Sequence, residues 1–370
     1  MLFYLKRQAS RICAHLDMPL FVIVLLLMCA GLATVYSAMY SMGIDRLDKQ
    51  IVNMLIALAI MLAVAQAAPQ KIMRLALPFY LLGLALLIGV ALFGVTVNGS
   101  RRWLSLVVVN IQPSEIMKIA MPLMLAWFFH KCESELKFRH FAIAMVILLL
   151  PTLLILKQPD LGTALLVGAA GFLVIFFAGL PWKIMLGAAL SVIAALPFLW
   201  NFVLHDYQRR RVLTLIDPGS DPLGAGYHII QSSIAIGSGG VLGKGWMDGT
   251  QTHLEFIPEK HTDFIFAVLS EEWGLLGGSF LLILFIALAG RGLMIAVGAP
   301  TLFSRLLAAA ISLMLFIYAF VNMGMVSGIL PVVGVPLPFI SYGGTALVTL
   351  AMSIGVLMSI RTHRTILVKK

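Results

Sequence analysis

Asp263 closes a polar stretch, Glu259, Lys260, His261 and Thr262, and opens a long apolar run that begins Phe264, Ile265, Phe266. A carboxylate at such a junction can take a proton from a hydroxyl on a molecule whose head lies in water and whose tail lies in lipid. It can equally do no more than cap the helix that follows, a task Thr262 would share. The helix N-terminus favours the ionised acid and poor hydration disfavours it, a contest the sequence leaves open.

Other ionisable groups stand in or beside apolar segments, where they are costly and mark a cavity or a pathway. Glu115 and Lys118, three residues apart, share a helix face and either neutralise one another or contact a substrate, with Ser114 as the expected N-cap. Asp160 follows Pro159 at a helix start, where capping is the simpler role and substrate contact the alternative. Arg102, beside Trp103, and Arg210, within the run Arg209 to Arg211, offer rigid forks suited to a pyrophosphate or to interfacial anchoring. Lys244 is a further candidate substrate contact, and Ser341 either caps the last helix or joins the same cavity wall. Glu271 and Glu272 are adjacent, so at most one faces Asp263, while the other is expected to pair with a cation or stay protonated.

Several chemistries are excluded. The stretch from Ser238 to Gly245 imitates a phosphate-binding loop, but Ser238 replaces its first glycine and Gly245 follows Lys244 where Ser or Thr is required. The chain has no Asp-x-Asp pair, no His-Glu-x-x-His and no Cys-x-x-Cys, and Cys13, Cys29 and Cys132 lack any regular spacing. Any reaction here is expected to run without a nucleotide and without a tightly built metal site.

The elements that must position these residues follow from composition. Of 370 residues 61% are hydrophobic and 11% charged, with a mean hydropathy of +1.01. A helix crosses a bilayer core with about 20 apolar residues, so the chain reads as an all-α, polytopic membrane protein of about ten spans. These fall near 19 to 39, 51 to 68, 75 to 97, 115 to 130, 140 to 157, 160 to 179, 183 to 203, 263 to 290, 303 to 328 and 341 to 360. The first is long for a signal peptide and reads as a retained anchor.

With the N-terminus inside, 15 of the 26 basic residues lie in cytoplasmic segments, Lys6, Arg7, Arg11, Arg364, Lys369 and Lys370 among them. That excess predicts both termini in the cytoplasm and explains the pI of 9.7 without a nucleic-acid partner. The chain forms one domain, 1–370, with a large outer loop over 204–262 whose glycines and near-neutral charge suit an ordered functional segment. The stretch from Gly328 to Gly344, with Pro331, Pro336 and Pro338, cannot be a continuous helix and is expected to wall a cavity.

Taken together, QPSE with Lys118, QPDLGTA from Gln158, DPLGAGYHIIQS from Asp221, IAIGSGG from Ile234, GKG from Gly243, HTDFIFAVLSEE from His261 and PLPFISYGG from Pro336 resemble the SEDS family (shape, elongation, division and sporulation) of cell-wall glycosyltransferases. The IAIGSGG and GKG loop is most similar to the rod-elongation branch. The resemblance implies polymerisation of lipid II at the outer face of the bacterial inner membrane, with undecaprenyl pyrophosphate leaving. It implies that Asp263 is the essential aspartate, that Glu115 and Lys118 are a cavity pair, and that a class B penicillin-binding protein and the elongation machinery are partners. No resident cofactor is implied, although a divalent cation assisting the pyrophosphate fits the same chemistry. Ile111, Ser270 and Trp273 depart from the family's usual Phe, Ala and Leu and bear on packing and fine specificity.

On this reading Asp263 takes the proton from the 4-hydroxyl of the acceptor GlcNAc as it attacks the anomeric carbon of the donor MurNAc. Two alternatives stand beside it. A lipid II flippase would show a charged path at mid-membrane and repeat symmetry. A non-catalytic scaffold for the penicillin-binding protein would tolerate substitution in the cavity.

Overall fold

A computed structural model describes residues 15–40, 45–97, 100–106, 109–203, 206–221, 224–257 and 259–363. The basic residues of both termini, from Lys6 to Arg11 and from Arg364 to Lys370, and Cys13 lie outside them.

Each expected span is met by a helix. In chain order these are α1 (Met18–Met39), α2 (Asp45–Ala65), the short α3 (Pro69–Arg74), α4 (Ala76–Phe93), α5 (Pro113–Lys131), α6 (Phe138–Lys157), α7 (Leu161–Phe177) and α8 (Trp182–Phe198). Between the seventh and eighth spans lie α9 (Asp206–Ile216), α10 (Ala225–Gly239) and α11 (Thr250–His253). The chain ends with α12 (Ile265–Val297), α13 (Leu302–Val326) and α14 (Thr345–Thr362). Seven helices, α1, α2, α4, α6, α12, α13 and α14, are long and apolar enough to cross a membrane by length and composition alone. The other three expected spans fall short: α7 and α8 have 17 residues each, and α5 carries Glu115 and Lys118. The count of ten therefore rests on sequence for α5, α7 and α8.

The molecule is built around α13, the most deeply buried span, which packs against α12, α7 and α5. Its Phe303, Leu307, Ile311, Met314, Leu315 and Tyr318 form an apolar stripe at helical spacing, all at most 2% exposed. Around this centre α14 packs on α2, α4 on α5, and α12 on α1.

Three features depart from the all-helical expectation. A small antiparallel meander, β1 (Val95–Val97), β2 (Ser100–Leu106) and β3 (Val109–Ile111), stands between α4 and α5. Its signal was in the sequence: the β-branched run Val95-Thr96-Val97 leads into Asn98-Gly99, the strongest short hairpin dipeptide, and Val97 pairs with Ser100. The span read as 263 to 290 runs to Val297 and is broken at Gly274, which takes φ +62°. The last helix begins at Thr345 with Gly344 at its N-cap, so Ser341 is not the cap expected for it.

The break in α12 is filled by chain from the segment between α10 and α11. The amides of Lys244 and Gly245 reach the carbonyls of Glu271 and Glu272, while the amides of Leu275 and Leu276 reach the carbonyls of Gly240 and Val241. Four backbone groups of α12 at the kink thus find partners outside the helix, as interrupted helices among apolar surroundings require. Gly243 must be glycine: its φ is +83°, and a Cβ would lie 2.1 Å from the Glu272 carbonyl oxygen. The glycines that imitate a phosphate loop serve this splice.

Candidate active site

Asp263 sits in the turn just before α12, two residues outside the span that begins at Ile265. It does not cap the helix. The N-cap is Phe264, and Thr262 turns its hydroxyl to the Glu259 carboxylate, 3.0 Å away. Among the described residues no donor bonds the Asp263 carboxylate, which lines a cavity of about 290 Å³. Burial pushes this carboxyl up to about 6, with Glu259 and Asp160 adding to the effect and Arg102 opposing it.

The turn that presents Asp263 is held from two sides. Asn322 of α13 donates to the carbonyl oxygens of Asp263, at 2.8 Å, and of Val335, at 2.6 Å. Ser341 donates to the Thr262 carbonyl at 2.7 Å while accepting from the Leu337 amide at 2.7 Å. The proline-rich segment between α13 and α14 is non-helical, as expected, and forms one cavity wall through Gly334, Val335, Pro336, Tyr342 and Gly343. Gly334, at φ +70°, lies so close that a Cβ there would stand 3.3 Å from Asp263 Oδ2. Any side chain at that position would crowd the acid.

Arg102, carried on β2, and Asp160, at the start of α7, face each other across the cavity mouth at 3.7 Å. Asp160 caps α7, as foreseen, through the Thr163 amide at 3.1 Å, and it also lines the cavity. Its second oxygen accepts from Gln112 at 3.0 Å, which explains why Gln112, rather than Ser114, occupies the N-cap of α5 without capping it. Deeper in, Lys118 donates to Glu115 at 2.6 Å and to the Tyr318 hydroxyl at 2.9 Å, and Thr349 donates to the other Glu115 oxygen at 3.3 Å. Lys118 and Glu115 are 3% and 5% exposed, so their pairing is what makes either charge tolerable there.

Two candidates lie elsewhere. Arg210, on α9, is exposed and does not line the cavity. Lys244 is engaged by Glu271 at 2.8 Å and Thr250 at 2.7 Å and holds the α12 splice together. Neither Glu271 nor Glu272 faces Asp263: the first pairs with Lys244, the second accepts from Ser37 of α1.

Gln112, Thr163, Tyr318, Asn322 and Tyr342 are site residues that the sequence reading passed over. Tyr318 and Asn322 had a legible signal, two polar groups at i, i+4 in the apolar second half of a helix. Among the described residues no three His, Cys, Asp or Glu side chains gather as a metal site. The arrangement is an acid with no hydrogen-bond donor among the described residues, facing a chamber with two cations on its walls. It suits proton removal from a hydroxyl beside a developing negative charge.

The profile of the family described as "Cell cycle protein" (FTSW_RODA_SPOVE) matches residues 17–366. The chain is 50% identical over 355 residues to the peptidoglycan glycosyltransferase MrdB of Escherichia coli K12, covering 96% of each. Its fold matches a chain of a solved peptidoglycan synthase complex, described as coordinating polymerization and crosslinking, with a TM-score of 0.82 and 33% identity over 94% of this chain and 98% of that one. It also matches the rod shape determining protein RodA of Thermus thermophilus, with a TM-score of 0.71 and 28% identity over 94% and 97% of the two chains. On these grounds the chain belongs to the FtsW, RodA and SpoVE family of multi-pass membrane proteins.

Proposed function

We propose that this protein is a peptidoglycan glycosyltransferase that polymerises lipid II into glycan strands during rod-shaped elongation. The observation that carries the reading is the Asp263 carboxylate, without a hydrogen-bond donor among the described residues and lining a cavity that also holds Arg102, Asp160, Glu115 and Lys118. In the proposed step the acceptor's GlcNAc 4-oxygen bonds to the donor's MurNAc anomeric carbon, and its proton passes to Asp263. The bond from that carbon to phosphate breaks, and undecaprenyl pyrophosphate leaves with the electron pair. Arg102, 28% exposed on the cavity wall beside Asp160, is more accessible to the leaving pyrophosphate than Lys118, which is 3% exposed and shared by Glu115 and Tyr318.

A donor activated by its own pyrophosphate accounts for a chain without a nucleotide-binding motif. A divalent cation, were one to assist, would be held by Asp160 and Asp263, which line the same cavity, and would supply positive charge to the pyrophosphate; no step above depends on it. The basic bias of the segments opposite this cavity supports a cytoplasmic N- and C-terminus and a cavity opening to the periplasm. The similar synthase complex supports a class B penicillin-binding protein as the partner that crosslinks the product.

The test is purified protein in detergent, with and without that partner, supplied with lipid II. Detergent has no leaflets, so longer glycan means bond formation. A flippase or a scaffold yields no polymer under either condition.

A further inference from the structure

At the end of the bundle opposite Asp263, the buried carboxylate of Asp17 receives two guanidinium groups. Arg291 of α12 grips both oxygens, Nε to Oδ1 at 3.0 Å and Nη2 to Oδ2 at 2.6 Å, while Arg361 of α14 stands 3.8 Å from Oδ2. The same carboxylate caps α1 through the Leu20 amide. Two permanent positive charges against one negative leave a net cation, more than a staple between helices needs. Beside the pair lies a cavity of about 120 Å³ lined by Arg291, Met294, Ile295, Gly298, Ile360 and Arg361. One side is cationic. Little apolar surface is exposed inside the cavity; that lies beside it on α12, where Met294 is 60% and Val297 85% exposed.

We propose that this cavity holds the phosphate of an anionic membrane lipid, its headgroup on Arg291 and Arg361 and its acyl chains along Met294 and Val297. The assignment of this end to the cytoplasmic leaflet rests on the topology given above; the site itself does not. Inorganic phosphate offers the same charge but nothing for the apolar lip. The carbonyl ends of α12 and α14 face this region and oppose an anion, so the site depends on the high local concentration a leaflet provides. Among the described residues the charged groups that meet there are Asp17, Arg291 and Arg361.

The experiment is native mass spectrometry of the full-length protein released from detergent after titration with phosphatidylglycerol or phosphatidylethanolamine of matched chains. Wild type should retain phosphatidylglycerol about fivefold better, the effect of roughly one membrane-surface arginine. Arg361→Gln, which leaves the Arg291–Asp17 fork in place, should lose most of that preference with an unchanged unfolding midpoint. Lys183→Gln, a basic change outside the cavity, should keep it. The proposal is overturned by equal retention of both lipids, by an intact preference in R361Q, or by an equal loss in K183Q. Displacement of phosphatidylglycerol by millimolar inorganic phosphate would also overturn it, in favour of a free-anion site. Since lipid retention is the readout, none of these outcomes bears on Asp263.

Discussion

Asp263 and Glu271 stand eight positions apart at the start of the same broken helix, yet their surroundings are opposite. Glu271 is fully buried and saturated: Lys244, the hydroxyls of Thr250 and Thr252, and the amides of Gln251 and Thr252 all bond it. Asn322 holds the Asp263 backbone, and among the described residues no donor bonds its carboxylate, which lines the cavity. An acid whose acceptor sites are all taken by the protein is tied to structure, whereas one left free has its capacity available to a substrate. The difference separates two carboxylates that the sequence presents as near neighbours.

The largest effect expected is on chemistry. Asp263→Asn should lower lipid II polymerisation by about 100-fold to 10,000-fold, the usual weight of a general base, without lowering the unfolding midpoint. Thermal unfolding beside the polymerisation assay checks both halves, and a comparable loss of stability would erase the contrast. Glu271→Ala should do the reverse. It strands Lys244 and several buried donors, at a cost of about 3 kcal/mol, and should depress the unfolding midpoint sharply; Glu271→Gln, which keeps an acceptor, should lose less. An E271A protein of normal stability would show that the splice does not carry the fold.

A smaller effect sharpens the electrostatics. Arg102 opposes the rise in the Asp263 carboxyl, so Arg102→Gln should move the acidic limb of the pH–rate profile upward and reduce the rate by the lost pyrophosphate contact. An unmoved limb would detach Arg102 from the acid. The smallest effect belongs to Arg210→Gln, which should change polymerisation less than about twofold, because an exposed arginine outside the cavity contributes within about 0.5 kcal/mol.

The contrast also explains what was legible before any coordinates. Helices declared themselves through apolar length, and every expected span has its helix. Asp263, Glu115, Lys118, Asp160 and Arg102 were legible because a charge next to an apolar run is costly and needs a reason. Lys244 was misplaced because its partner lies 27 residues away, across a helix break that Gly274 hides inside an apolar run. Ser341 was misread for a similar reason, since its two partners, Thr262 and Leu337, meet only when the proline-rich segment folds back on α12. Local propensity names caps well; it has no access to hydrogen bonds made across 79 residues of chain. The meander was an oversight of another kind, with Asn98-Gly99 in plain view.

The most direct test of Asp263 as the proton acceptor is the pH dependence of glycan polymerisation by wild type and Asp263→Asn in detergent at lipid II well below saturation, where the profile reports the free enzyme. A base must be ionised to work, so the wild-type rate should fall about tenfold per pH unit below about 6 and level off above it, while the residual D263N rate shows no such limb. A flat wild-type profile between pH 5 and 8, or a D263N enzyme that keeps both the rate and the limb, would contradict the account.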